Sequence, residues 1–111
     1  MNESEFNVLV DDTLLSIEET LDDAETDLDL MNVGGVLTVQ CENGVQVIFT
    51  RQAAVSQLWI ASPDGGFHFD YHKNEESGGG QWRRDSDSEP LELFLQRVFA
   101  EHAGESFQFA L

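Results

Sequence analysis

The chain has 111 residues, enough for one domain with a thin two-layer core, and 41% of them are apolar, including eight Phe and two Trp. It carries 22 Asp and Glu against 5 Lys and Arg, a formal net charge of −17, and the first basic residue is Arg51. A field of that sign repels nucleic-acid phosphates and anionic lipid, and attracts cations and basic protein surfaces.

Residues 3–22 have the spacing of an amphipathic helix. Phe6, Leu9, Val10, Thr13, Leu14, Ile17 and Leu21 fill one stripe, with Asp11, Asp12, Glu18, Glu19, Asp22 and Asp23 opposite. Ser4 is the expected cap. Alternation of Asp27, Leu28, Asp29 and Leu30 predicts a short strand, and Gly34-Gly35 a turn. Two β-rich runs, Val36–Glu42 and Val45–Arg51, flank Asn43-Gly44, the pair favoured by a two-residue type I′ hairpin turn. Both faces of that hairpin carry apolar residues, so periodicity does not assign its buried side.

Val55–Ala61 predicts a further strand, with Leu58 and Ile60 inward and Gln57 and Trp59 outward. Pro63-Asp64-Gly65-Gly66 predicts a turn, and Phe67–His72 a strand. Residues 73–81 contain no apolar side chain and are expected to form a flexible loop before a short strand at 81–84. Ser88-Glu89-Pro90 opens a second helix whose stripe is Leu91, Phe94, Leu95, Val98 and Phe99, with Gly104 at its C-terminal cap. The apolar tail, residues 107–111, is expected to tuck against the helices. The fold class is therefore α+β: a single-domain, two-layer α/β sandwich over residues 1–111, with an antiparallel sheet of five to six strands and both helices on one face.

Chemistry concentrates at the end of the first helix. Glu18, Glu19, Asp22 and Asp23 include pairs three and four apart, which are helix-surface neighbours, and Glu25, Asp27 and Asp29 continue the cluster. Like charges at those spacings oppose one another, and negative charge sits badly at a helix C-terminus. A bound cation relieves both penalties; the plain alternative is a solvated face, which usually interleaves Lys. All-carboxylate ligation suits hard cations such as Mg²⁺, Ca²⁺, Mn²⁺, Fe²⁺ and Fe³⁺. An EF-hand loop starting at Asp23 fails, because Leu28 stands where Gly is needed and Gly34 where Glu is needed.

His68, Asp70 and His72 share one strand face, but neighbours in that row stand about 7 Å apart, so a tight metal site needs help from an adjacent strand. His102 falls at the end of the second helix, where a cation is favoured. Trp59, with Arg51 and Gln57 nearby, is a candidate protein-binding spot on the open sheet face. Cys41 is the only cysteine, so there is neither an internal disulfide nor a Cys-x-x-Cys metal motif. No nucleophile elbow, phosphate loop or dinucleotide fingerprint occurs, and no enzymatic activity is expected. The acidic N-terminal stretch lacks the basic and apolar regions of a signal peptide, and a cytoplasmic location is expected.

Taken in order, the acidic Ile17-Glu18-Glu19-Thr20-Leu21-Asp22-Asp23, Gly34-Gly35-Val36-Leu37-Thr38 leading to Glu42-Asn43-Gly44, Arg51-Gln52 with Gln57-Leu58-Trp59, and Gly65-Gly66-Phe67-His68-Phe69-Asp70 resemble the frataxin family, in its bacterial CyaY-type branch. The resemblance covers nearly the whole chain, including Ala103-Gly104-Glu105; Thr50 and Ala54 depart from the family's usual Asn and Pro. It implies weak binding of iron along the acidic ridge, with Glu18, Glu19, Asp22, Asp23, Glu25, Asp27 and Asp29 as ligands. It also implies a part in iron–sulfur cluster assembly, in contact with the cysteine desulfurase and the scaffold protein through the ridge and through Arg51, Gln57 and Trp59. A monomer is expected, which metal could drive into oligomers. The competing readings are a metal-independent acidic module that binds a basic protein and, less favoured, an iron-oxidising enzyme.

Overall fold

The computed structural model describes every residue except Glu75 and Ser77. Its elements are α1 (Glu3–Asp22), β1 (Leu28–Val33), β2 (Val36–Cys41), β3 (Gln46–Gln52), a short 3₁₀ turn at Ala53–Val55, β4 (Gln57–Ser62), β5 (Gly65–Lys73), β6 (Gly80–Arg84) and α2 (Leu91–His102). The six strands form one antiparallel sheet in sequence order, each paired with its chain neighbour. Both helices cover the same face, as the sequence predicts.

Period two and period 3.6 meet at this face. Leu37, Val39, Val47, Phe49, Leu58, Ile60, Phe69 and Trp82 come up from the strands; Phe6, Val10, Leu14, Ile17 and Leu21 come down from α1, and Leu91, Phe94, Leu95, Val98 and Phe99 from α2. The hairpin's buried side is thus the Leu37–Val39 and Val47–Phe49 side. Cys41 joins it, and burial pushes its thiol pKa up, away from reactivity. Trp82 is buried with its Nε1 donating to Thr13 Oγ1 at 2.9 Å, and Thr13 Oγ1 in turn donates to Leu9 O, so both of these buried side chains are partnered. Phe107 and Phe109 of the tail pack on Phe99.

Turn chemistry departs from expectation in several places. Asn2, not Ser4, caps α1, accepting from the Glu5 N–H at 2.8 Å. The β2–β3 connection is a three-residue loop, Glu42–Gly44, closed by Cys41 N–H to Val45 O at 2.8 Å and Gly44 N–H to Cys41 O at 2.9 Å. Only Gly44 has positive φ there (+87°), so this is not a type I′ turn, which needs it at both central residues. Asn43 instead uses its side chain, accepting from the Val45 N–H and donating to the His102 carbonyl.

The strand expected from Val55 begins at Gln57, after Ser56 adopts a left-handed conformation (φ 51°). The next turn is only Pro63-Asp64, since Ser62 pairs with Gly65 and both glycines already lie in β5. The loop expected over 73–81 is shorter: Lys73 pairs with Gly80 and His72 with Gln81. That expectation also covers Glu75 and Ser77, which lie outside the described residues. Pro90 stands just before α2 rather than inside it, its backbone bridged to Arg83.

The β6–α2 connection is braced by a two-point ion pair, Arg84 Nε to Asp87 Oδ1 at 2.9 Å and Nη2 to Oδ2 at 2.6 Å. The Arg84 hydrogen bond, helped by the Glu89 N–H, holds the Asp87 carboxyl at a pKa of about 2. A carboxylate depressed on folding contributes stability above its unfolded pKa, about 3.9, and loses it as pH falls toward the folded value. The melting-temperature gap between the wild type and Asp87→Asn should therefore be full above about pH 5 and close as pH approaches 2. Thermal melts across that range check this; a gap independent of pH refutes it.

Candidate functional site: an acidic ridge and an open sheet face

α1 ends in carboxylates with no basic residue in its last turn, and Asp23 is itself the C-cap. The chain then turns through Glu25 and Thr26, whose N–H groups both donate to the Glu105 carboxylate at 2.9–3.2 Å. Glu105 thereby fixes the approach to β1 and adds an eighth acid to the ridge, one not singled out from sequence. β1 is an edge strand, with Asp29 opposite Gln40 and with Asp27, just before the strand, and Asp29 exposed while Leu28 and Leu30 lean inward. The charges line an unpaired edge, as natural edge strands commonly do.

The seven predicted carboxylates, Glu18, Glu19, Asp22, Asp23, Glu25, Asp27 and Asp29, thus follow one another along the end of α1 and the start of β1. Glu18 is half-buried and the others exposed. Among the described residues, none of the seven has a Lys, Arg or His within ion-pair distance. The four arginines are committed elsewhere, Arg51 to Asp11, Arg84 to Asp87 and Glu89, Arg97 to Glu89 and Arg83 to Ser88 O, and Lys73 lies in β5 opposite Gly80. The seven do not, however, converge on a point. Among the described residues, only Asp64, Glu101 and His102 bring three ligand atoms within 4.8 Å of one another. The ridge is a line of unneutralised charge rather than a preformed cage, an arrangement suited to weak and unselective cation binding.

The opposite face of the sheet is open. Strand pairing sets Thr50 opposite Trp59 and Trp59 opposite His68. Trp59 stacks on His68, centroids 4.3 Å apart, and its Nε1 donates to Gln57 Oε1 at 2.9 Å. Gln57 Nε2 donates to Asp70 Oδ1, so Trp59, Gln57, His68 and Asp70 form one connected half-buried patch. His68, Asp70 and His72 therefore have separate surroundings: His68 lies against Trp59 with Nδ1 3.5 Å from Asp85, Asp70 accepts from Gln57, and His72 stands opposite Gln81.

Arg51 is not part of that patch. It pairs with Leu58, a core residue, and so lies on the helix face of the sheet, away from Trp59. Its side chain is 20% exposed, and its guanidinium donates to Asn7 O and Oδ1, to Asp11 Oδ1 and to Gly35 O. It ties the first half of α1 to the β1–β2 turn, so the expected position of Arg51 beside Trp59 on the open sheet face is not what the register gives.

These features define a two-layer α/β sandwich with an acidic ridge at one edge and an aromatic patch on a bare sheet. A family model described as a frataxin-like domain matches residues 1–105. The iron-sulfur cluster assembly protein CyaY of Pseudomonas aeruginosa is 49% identical over 109 residues, covering 98% of this chain and 97% of that protein. The protein of the same name from Azotobacter vinelandii is 41% identical over 109 residues, covering 98% and 96%. A solved structure of frataxin from Psychromonas ingrahamii, studied as a CyaY-family protein, superposes with a TM-score of 0.86 at 31% identity, over 100% of both chains. The chain belongs to the frataxin family, in its bacterial CyaY-type branch. Among the described residues, no helix is long and apolar enough to cross a membrane.

Proposed function

We propose that this chain acts in iron–sulfur cluster assembly as a non-catalytic regulator or iron donor. The ridge of Glu18, Glu19, Asp22, Asp23, Glu25, Asp27 and Asp29 binds Fe²⁺ or Fe³⁺ weakly and docks on a basic surface of the cysteine desulfurase. Gln57 and Trp59 on the open sheet face meet the scaffold protein. Relatives across the full length carry the assembly function in their name, which supports the process. The observation that carries the ridge's role is its seven carboxylates without a cationic partner among the described residues. Such a surface lowers its own electrostatic energy by taking up cations or a basic protein face.

The test is a variant with Asp22, Asp23, Asp27 and Asp29 all changed to Asn. Anaerobic Fe²⁺ added to the wild type should shift the backbone NMR signals of residues 18–29, and the variant should lose those shifts. Its affinity for the desulfurase should fall at least about tenfold, the effect of losing roughly 1.4 kcal/mol of charge complementarity. Survival of both properties refutes the assignment. The failure of the carboxylates to converge within 4.8 Å favours one second reading, docking without metal. In that case desulfurase binding is unchanged by a chelator and still lost in the variant.

A further inference from the structure

We propose that Asp64, Glu101 and His102 form a second cation site, chemically distinct from the ridge, for a divalent transition ion of borderline softness such as Zn²⁺, Co²⁺ or Ni²⁺. The residues come from two places far apart in the chain: Asp64 from the two-residue β4–β5 turn, Glu101 and His102 from the last turn of α2. Their ligand atoms lie within 4.8 Å of one another. His102 Nε2 is 2.9 Å from Asp64 Oδ2 and 4.0 Å from Glu101 Oε2. Atoms that ligate one ion at about 2.0–2.2 Å stand roughly 3 Å apart in an octahedron and roughly 3.5 Å apart in a tetrahedron, so both separations reach one or the other by shifts of about 1 Å or less. Glu101 is 61% exposed, and a side-chain rotation suffices.

The imidazole is the fixed member. Its side chain is 13% exposed, and the His102 carbonyl accepts from Asn43 Nδ2 at 3.1 Å, which anchors the end of α2 to the β2–β3 loop. A cleft of about 250 Å³, lined by Thr26, Glu42, Asn43, His102 and Ala103, adjoins the end of α2 at His102. The helix C-terminus contributes further negative potential. Two carboxylates and one neutral imidazole balance the charge of a dication. The nitrogen donor separates this set from the ridge: imidazole suits Zn²⁺, Co²⁺ and Ni²⁺, whereas oxygen-only sets suit harder ions. The competitor for Nε2 is a proton, which would leave a plain His102–Asp64 ion pair.

Zn²⁺ is the probe, added to the full chain carrying the four ridge Asp→Asn changes and followed by the His102 ring signals and the amides of Asp64 and Glu101. Saturable shifts at these positions, with equal amounts of Mg²⁺ producing none, are expected. In the same background His102→Gln and Asp64→Asn should each weaken Zn²⁺ binding at least tenfold while leaving the rest of the spectrum folded; Glu101→Gln serves if either fails to fold. Shifts confined to His68 and His72, an equal response to Mg²⁺, or unchanged affinity in these variants would overturn the site. Because four of the seven ridge acids are already neutral and the readout lies at Asp64, Glu101 and His102, these outcomes are separate from whether the ridge binds iron.

Discussion

Phe94→Ala is expected to destabilise the fold by about 3–5 kcal/mol, the usual cost of deleting a buried aromatic ring. Phe94 is 1% exposed and sits where the α2 stripe meets β5, with its ring centroid 4.9 Å from that of Phe67 and 5.1 Å from that of Phe69. The Arg84 and Arg97 guanidinium carbons stand 5.6 and 5.5 Å from the ring centroid, so truncation also removes the platform beneath the pairs they make with Asp87 and Glu89. A domain of this size has only about 5–15 kcal/mol in hand, so the loss is a large share of the total. Denaturant titration with an unchanged m-value should show it. Leu93, the preceding residue, is 49% exposed, and Leu93→Ala should stay within about 0.5 kcal/mol. Equal effects at the two positions would mean that α2 does not pack as described.

The contrast between Leu93 and Phe94 was legible in the sequence, because a 3.6-residue period distinguishes them without knowledge of the partner strand. The same held for α1, for the alternation of Asp27, Leu28, Asp29 and Leu30 at the acidic edge, and for Leu58 and Ile60 pointing inward. Local turn geometry was not legible. Asn43-Gly44 satisfies the residue preference of one turn, yet Asn43 is also needed to bond the His102 carbonyl, a contact 59 positions away. Arg51 shows a related failure. Once Val47 and Phe49 are known to face the helices, period two places Arg51 beside them; with apolar residues on both faces of the hairpin, that first assignment could not be made. The Trp59–His68 stack and the Glu105 clamp likewise depend on register and on tail placement, which no short-range pattern encodes.

Divalent cation is expected to raise the melting temperature of the wild type, and neutralising the four ridge aspartates should both mimic and abolish that rise. At the end of α1, Glu18–Asp22, Glu19–Asp22 and Glu19–Asp23 are like-charge pairs at helical neighbour spacing, each worth roughly 0.2–0.5 kcal/mol of destabilisation. They add to the unfavourable meeting of carboxylates with the helix's negative end, about 0.3–1 kcal/mol, and no last-turn base offsets either. Changing Asp22, Asp23, Asp27 and Asp29 to Asn should therefore stabilise the protein by about 1–2 kcal/mol at low salt. A dication that binds only the folded ridge stabilises by RT ln(1 + [L]/Kd), about 2.7 kcal/mol at one hundred times Kd. Melts with increasing Ca²⁺ should thus climb for the wild type and stay flat, from a higher start, for the variant. NaCl at 0.15 M, with a Debye length near 8 Å, should recover only part of the gain, because carboxylates one helical turn apart are closer than that. A variant that starts lower than the wild type would mean that these acids do not repel one another, and one that keeps the full Ca²⁺ response would mean that they do not hold the ion.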